Sequence, residues 1–247
     1  MKTFSVTDIG QHRSMNQDYC FTSEMPVGNL PNLFIVADGM GGHNAGEYAS
    51  KHAVECIEET ARQSESTKIT EILEEAITKA NTEIYQKAAE EPSMKGMGTT
   101  IVACVIEGKK LYVANVGDSR LYIVNRNIRQ VTWDHSLVEE MVRLGKMDRE
   151  AAREHPDKHV ITRAVGAIAD VEIDFFEEEL DVEDEILLCS DGLTNMIEDE
   201  EIRRIVKSQR DLAEVTEKLV YTANQYGGRD NITVVVIAPF TDEVKGD

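Results

Sequence analysis

Cysteine and proline are scarce in this chain, and each shortage excludes a class of protein. The four cysteines among 247 residues are far apart and form no CxxC pair. Neither a disulfide scaffold nor a CxxC zinc site is therefore indicated, and we expect buried free thiols in a reducing compartment. With only five prolines and no Pro/Ser-rich linker, we expect a single domain over residues 1–241 and a short polar tail at 242–247.

Long apolar runs are also missing. The longest aliphatic run, residues 234–238, is far too short to span a bilayer. Residues 1–6 lack the apolar core of a signal peptide. We therefore expect a cytoplasmic protein that does not insert into membranes.

Positive charge is in short supply relative to negative charge. The chain has 26 Lys and Arg against 46 Asp and Glu, a formal net charge of −20. Such a balance argues against nonspecific binding to nucleic acid or to an anionic membrane surface. If some of the aspartates hold metal ions, part of this excess is neutralised.

Hydrophobic periodicity predicts an α+β protein. Blocks of strands separated by helix pairs favour α+β layers over a parallel doubly wound sheet. The predicted helices are 47–62, 68–90, 134–146, 198–208 and 211–226. The predicted strands are 33–37, 99–106, 111–116, 120–125, 186–190 and 232–238.

Two local features of this pattern bear on function. Strands 111–116 and 121–124 flank a Gly-Asp turn, which predicts a β-hairpin with Asp118 in its turn. Residues 137–165 are more polar, and they predict a helix followed by an irregular flap.

Four aspartates stand where an apolar run meets a tight turn. Asp38, Asp118 and Asp191 each follow a predicted strand and touch a glycine, whereas Asp230 precedes the last strand. Any one of them alone is most simply an Asx turn or a helix cap. If they converge, however, their charges repel strongly unless a counter-charge is present. Hard divalent cations take oxygen ligands and supply that charge, so the set predicts a polynuclear Mg²⁺ or Mn²⁺ site.

Eight short motifs, in this order along the chain, resemble those of the metal-dependent protein phosphatase family, type 2C. They are 13–18 (RSMNQD), 36–42 (VADGMGG), 96–100 (GMGTT), 114–120 (ANVGDSR), 132–136 (TWDHS), 161–166 (ITRAVG), 190–193 (SDGL) and 228–233 (GRDNIT). The resemblance covers residues 5–238 and is strongest to bacterial members. It implies a central antiparallel β-sandwich flanked on both faces by helix pairs, with metals in a cleft at one end.

The resemblance also implies an activity and a role for each site residue. It implies a protein serine/threonine phosphatase in which a hydroxide bridging two Mn²⁺ or Mg²⁺ ions attacks phosphorus directly. Asp38 would bridge the two ions, the Gly39 carbonyl would complete the first, and Asp191 and Asp230 would hold the second. Asp118 and Asp191 would hold a third, weaker ion. Asp18 would orient metal-bound water, and Arg13 would grip the substrate phosphate.

The implied partners are phosphorylated proteins, including a bacterial Ser/Thr kinase, and the implied state is a monomer. Gln17 stands where many relatives have Glu, so we expect weaker metal binding with retained activity. Met40 stands where animal members carry a histidine proposed as the general acid, and Met cannot donate a proton. His43 follows the glycines and is a candidate cleft residue. The other five histidines, His12, His52, His135, His155 and His159, are expected to be surface or structural residues.

Three rival interpretations fit the residues less well. A calcium-binding module requires a D-x-D-x-D-G loop followed by Glu, which the chain lacks. A non-catalytic phosphoprotein-binding relative requires loss of a bridging ligand, yet Asp38, Asp191 and Asp230 are all present. An aspartyl-phosphate hydrolase requires a D-x-D motif at a strand end. None of the three aspartates that follow predicted strands, Asp38, Asp118 and Asp191, begins such a motif.

Overall fold

Two antiparallel sheets form the centre of the protein in the computed structural model, which describes residues 1–42, 44–209 and 211–240. The strands are β1 (Lys2–Asp8), β2 (Asp18–Ser23), β3 (Leu33–Met40), β4 (Gly98–Thr99), β5 (Ile101–Glu107), β6 (Lys110–Val116), β7 (Arg120–Val124), β8 (Ile128–Gln130), β9 (Asp174–Glu179), β10 (Glu185–Cys189) and β11 (Ile232–Ala238). One sheet has the order β1-β11-β10-β7-β8. The other has the order β2-β3-β5-β6-β9, and β4 adds to it by pairing with β3.

Helices cover the outer face of each sheet. The α-helices are α1 (Ala45–Gln63), α2 (Ile69–Glu90), α3 (Leu137–Arg143), α4 (Arg149–Glu154), α5 (Asp191–Thr194), α6 (Asp199–Val206) and α7 (Leu212–Gln225). Helices α1 and α2 cover one sheet and α5, α6 and α7 cover the other, whereas α3 and α4 lie in segment 137–165. Helix α2 presents the apolar stripe that its sequence predicts, because Ile72, Leu73, Ile77 and Ile84 are all fully buried. No helix in the described ranges combines the length and apolarity that crossing a membrane requires.

Three hydrophobic clusters correspond to the three interfaces of a four-layer fold. The first packs α1 and α2 against the β3-β5-β6 face, the second packs α5, α6 and α7 against the β10-β11 face, and the third lies between the sheets. Successive side chains of a strand point to opposite faces of the sheet, so alternate residues of one strand pack into two different clusters. In β11, for example, Val234 and Val236 face the helices while Val235 and Ile237 face the other sheet. The predicted sandwich flanked by helix pairs is confirmed.

The predicted β-hairpin around Asp118 is wrong. Strand β6 pairs with β5 and β9, whereas β7 pairs with β8 and β10, so the turn at 117–119 crosses from one sheet to the other. The alternation of residues identified both strands correctly, but it carries no information on which strand pairs with which. The crossing places Asp118 at the mouth between the two sheets.

Several edge elements were missed or misplaced by the sequence pattern. Strands β1, β2, β8 and β9 mix polar and apolar residues because they lie at or near sheet edges. The helix predicted at 134–146 is shorter than expected. It begins after Ser136, whose side chain caps the Glu139 amide, and it ends at Arg143.

Segment 137–165, predicted to be a flap, holds the short helices α3 and α4 and is closed at its base. The Leu137 amide donates to the Val160 carbonyl (2.9 Å), and the Thr162 amide donates to the His135 carbonyl (2.7 Å). The division of the chain into one domain with this flap stays a prediction, and the tail at 242–247 lies outside the described residues.

Candidate active site and metal centre

The predicted site residues meet in one cleft with a volume of about 520 Å³. Six of the seven line it: Arg13, Asp38, Gly39, Asp118, Asp191 and Asp230. The seventh, Asp18, is buried beside it and is only 6% exposed. The topology explains this convergence. The ends of β3, β6 and β10 and the starts of β2, β7 and β11 all lie at the same edge of the sandwich.

Asp18 is a buried carboxylate that lies directly opposite Asp38 in the β2–β3 pair. Its Oδ2 accepts a hydrogen bond from the Ser190 hydroxyl (2.7 Å), while its Oδ1 is buried with no hydrogen-bond partner. The pKa of Asp18 is raised to about 7, chiefly because burial removes water from its carboxyl group; the charges of Asp191 and Asp230 add to this shift, whereas the Ser190 hydrogen bond opposes it. A buried carboxylate oxygen without a protein donor fits an oxygen that contacts a cation or an ordered water.

Asp38 and Asp118 are the next two carboxyl groups in the cleft. Loss of water around the carboxyl group raises the pKa of Asp38 well above its usual value, and the neighbouring Asp18, Asp191, Asp118 and Asp230 raise it further. The pKa of Asp118 is raised by the same loss of water and by Asp191, although the Arg120 charge opposes this shift. The mutual repulsion expected from the sequence is therefore present in the structure.

Asp191 opens helix α5 directly after β10. Its Oδ2 accepts a hydrogen bond from the Asn195 side chain (2.8 Å), and its Oδ1 is buried without a partner. The Asn195 contact fixes the orientation of the carboxyl group and leaves one oxygen facing no protein donor. Asp191 therefore resembles Asp18, because one of its carboxylate oxygens accepts a hydrogen bond and the other is buried without a partner.

Arg13 forms an ion pair with Asp230 across the cleft mouth. Its guanidinium donates to Asp230 Oδ2 at 2.7 Å, and the other oxygen of Asp230 accepts from the Asn231 amide at 2.9 Å. This hydrogen bond raises the pKa of Arg13. Because the side chain of Arg13 is half exposed, the pair is solvent-screened and easily exchanged for another anion. The predicted phosphate clamp and a predicted metal ligand thus neutralise each other here.

Gly39 is required at its position by a close backbone approach. A Cβ atom there would lie 2.0 Å from the Gly46 carbonyl oxygen at the start of α1. The Gly39 amide donates to the Gln17 carbonyl (3.0 Å), which ties this turn to the strand that carries Asp18. Gln17 and Met40, the two departures from the family pattern, both line the cleft.

The residues present fit hard divalent cations, which prefer oxygen ligands. The cleft offers carboxylates and a backbone carbonyl, and two buried carboxylate oxygens have no hydrogen-bond partner. Among residues 1–42, 44–209 and 211–240, however, no three His, Cys, Asp or Glu side chains are grouped closely enough to hold one ion. Bound cations would offset the like charges of the carboxylates and compete with Arg13 for Asp230.

Some residues at the site were not predicted from the sequence. His159 is an exposed residue, as expected, but it also lines the cleft, with its Nδ1 3.9 Å from Asp191 Oδ2. The one sequence feature that could have indicated a place in the cleft is its position two residues before motif 161–166. His135, in contrast, is a structural residue as expected, because its Nδ1 accepts from the Gly117 amide (3.0 Å). His43 lies outside the described residues.

Comparison with known proteins finds similarity to protein phosphatases. The family model described as protein phosphatase 2C matches residues 9–232. The chain is 42% identical over 236 residues to the serine/threonine phosphatase stp of Listeria monocytogenes, covering 94% of this chain and 93% of that protein.

Solved structures agree with this similarity. The serine/threonine phosphatase Stp1 from Staphylococcus aureus matches with a TM-score of 0.89 and 34% identity, over 95% of this chain and 93% of that one. The catalytic domain of the serine/threonine protein phosphatase PstP, in complex with two manganese ions, matches with a TM-score of 0.84 and 31% identity, over 95% and 96% of the two chains.

The repulsion between carboxylates predicts that Asp38→Asn stabilises the metal-free protein. Removing one of the interacting charges should raise the Tm in EDTA by about 2–4 °C, which corresponds to about 1 kcal/mol in a domain of this size. The same variant should lose most of the Tm increase that Mn²⁺ gives the wild type, because a ligand is gone. Differential scanning fluorimetry in EDTA and in Mn²⁺ measures both effects.

Asp170→Asn is the matched control, since Asp170 is exposed and does not line the cleft. It should behave as wild type in both buffers. A lower Tm for Asp38→Asn in EDTA, together with a full Mn²⁺ response, would contradict the interpretation of Asp38 as a repelled metal ligand.

Proposed function

The chain belongs to the protein phosphatase 2C family, and on that basis we propose that its cleft hydrolyses phosphoserine and phosphothreonine by direct attack of water on phosphorus. The protein is a serine/threonine phosphatase of this type, a hydrolase that acts on phosphorylated proteins, and the family is metal-dependent. The assignment of each residue to a step is the proposal. The observation that carries it is the convergence of four aspartates and one arginine in a single cleft, with a fifth aspartate, Asp18, buried beside it.

We assign the metal ligands as follows. Asp38, the Gly39 carbonyl, Asp191 and Asp230 would hold two core ions, with Asp38 shared between them, Gly39 on the first and Asp191 and Asp230 on the second. Asp118 and Asp191 would hold a third, weaker ion. The unpaired Oδ1 of Asp191 supports its part in this set, and the two manganese ions in the similar PstP structure support a pair. All-oxygen ligands suit Mn²⁺ and Mg²⁺ alike.

When bound, the cations supply a nucleophilic hydroxide near neutral pH and offset charge on the phosphoryl oxygens. Asp18 would orient the attacking water; its buried Oδ1, which has no hydrogen-bond partner, and the Ser190 contact to its other oxygen support this role. Arg13 binds the substrate phosphate, whose oxygens match the guanidinium fork. A cation held by Asp230 would compete with Arg13 for that carboxylate and would make the whole guanidinium available to the phosphate.

Two cleft residues limit the chemistry. Met40 cannot donate a proton to the leaving serine or threonine oxygen. Gln17 cannot contribute a carboxylate, so we expect weaker metal binding than with Glu at this position, and retained activity. Opposition to a bacterial Ser/Thr kinase, a monomeric state and a cytoplasmic location stay predictions.

Turnover should require a divalent cation. The purified protein should release phosphate from a phosphothreonine peptide, and from p-nitrophenyl phosphate, in Mn²⁺ or Mg²⁺. EDTA should lower this turnover by at least about 10³-fold, because both the nucleophile and the charge stabilisation are lost. EDTA-resistant turnover would contradict the mechanism. A folded protein that binds the phosphopeptide without turnover in any metal would favour the phosphoprotein-binding alternative.

Asp191→Ala should lower kcat/KM by at least about 10²-fold, because it removes a ligand assigned to two ions. The Tm of this variant in EDTA should not fall, since the carboxyl group has one unpaired buried oxygen. Steady-state kinetics and thermal melting test the two parts, with Asp170→Ala as the control. Near-normal kcat/KM in the folded variant would remove Asp191 from the metal site.

Arg13→Ala should act mainly on substrate affinity. Loss of a charge-assisted contact to phosphate should raise KM for the phosphopeptide by about tenfold or more, with a smaller change in kcat. Arg13→Lys should recover part of this loss, because it keeps the charge but not the planar fork. An unchanged KM in Arg13→Ala would exclude the clamp role.

A further inference from the structure

Thr100 is a buried cleft residue to which neither the sequence motifs nor the proposed mechanism assigns a function. It stands between β4 and β5, lines the cleft and is only 3% exposed. Its hydroxyl has two neighbours, and each lies at or beside a proposed metal ligand. The buried position means that water does not replace these contacts when one is lost.

The first neighbour is the backbone of Asp38. The Asp38 amide donates to Thr100 Oγ1 at 2.9 Å, and the Thr100 amide donates to the Asp38 carbonyl at 2.9 Å. Thr99 reinforces the same carbonyl through its own hydroxyl, also at 2.9 Å. These contacts fix the end of β3, from which the Asp38 carboxyl group enters the cleft.

The second neighbour is Ser119, the residue after Asp118. Its hydroxyl lies 2.7 Å from the Thr100 hydroxyl, and Ser119 is fully buried. The methyl group of Thr100 meets the same turn from the other side. A Cβ atom at Gly117 would lie 2.6 Å from Thr100 Cγ2, and Gly117 has φ +109°, so this turn closes directly on Thr100.

The two ligands that Thr100 links stand on either side of it in the sheet. The pairing of β3 with β4 and β5 places Thr100 opposite Asp38, and β6, which also pairs with β5, ends at Val116, two residues before Asp118. Strand pairing therefore stops short of Asp118, which stands in the turn that crosses to the other sheet. The Thr100 hydroxyl supplies the remaining link through two hydrogen bonds, one that it accepts from the Asp38 amide and one that it shares with the Ser119 hydroxyl.

We propose that Thr100 is a positioning residue that sets the separation of Asp38 and Asp118, and through it the affinity of the third ion relative to the bridged pair. This inference rests on the proposed function, because it requires Asp118 to be a ligand. Outer contacts of this kind orient metal ligands, and their loss typically weakens metal binding by about 10- to 100-fold. Thr100 touches neither substrate nor ion in this role.

The test compares two variants of Thr100 that separate its hydroxyl from its shape. Thr100→Val keeps the branched shape against Gly117 and removes the hydroxyl, whereas Thr100→Ser keeps the hydroxyl and removes the methyl group. Mn²⁺ titrations followed by calorimetry and by electron paramagnetic resonance of free Mn²⁺ resolve the weakest site. Thr100→Val should bind the third ion about 10- to 100-fold more weakly, and Thr100→Ser should stay within about threefold of the wild type.

Two further variants test the path of the effect. Thr99→Val also removes a hydroxyl that contacts Asp38, but this hydroxyl does not reach the Asp118 turn, so third-ion affinity should be unchanged. Ser119→Ala removes the far partner of the link. Combined with Thr100→Val it should add nothing, because both changes delete the same hydrogen bond.

The outcomes distinguish failure of the Thr100 role from failure of the third metal site. Wild-type affinity in Thr100→Val, or a loss in the double variant equal to the product of the two single losses, would overturn the positioning role while the metal site stands. Equal losses in Thr100→Val and Thr99→Val would reduce the effect to general destabilisation and overturn it too. Only two ions bound to the wild type would overturn the third site, and this inference with it.

Discussion

The constraint on which the site depends is the repulsion between carboxylates brought to one edge of the sandwich. Asp18, Asp38 and Asp118 have raised pKa values because they lose water and face one another and Asp191. Buried carboxylates this close together lower the stability of the folded protein unless opposite charges compensate them. Their convergence is explained if divalent cations balance them, since a ligand that binds only the folded state stabilises it. In the absence of cations, the Arg13–Asp230 pair provides part of that balance.

The architecture imposes this convergence through strand direction. In an antiparallel sandwich the ends and the starts of neighbouring strands share an edge, so turns from both sheets meet there. Asp38 lies near the end of β3 and Asp191 just after β10, in different sheets, and Asp118 stands in the crossing between the sheets. The proposed substrate and metal sites are therefore formed by both sheets, which the three buried clusters pack together with the helices.

Much of this could be predicted from the sequence because its signals are local. The apolar stripe of α2 identified a helix, and strand-end Asp-Gly pairs identified candidate ligands. The hairpin at Asp118 was wrong because alternation identifies a strand but not its partner. The contacts of Thr100 and of His159 could not be predicted for a similar reason. A buried hydroxyl between two turns, or a histidine 3.9 Å from Asp191, depends on distances that only the folded chain defines.

Anomalous diffraction from crystals grown with Mn²⁺ is the decisive experiment, because it locates the ions without relying on activity. We predict peaks on either side of Asp38, a weaker peak between Asp118 and Asp191, and an Arg13 side chain that has left Asp230. Crystals at saturating Mn²⁺ with no peak beside Asp38, and with the Arg13–Asp230 pair intact, would contradict the proposed metal site.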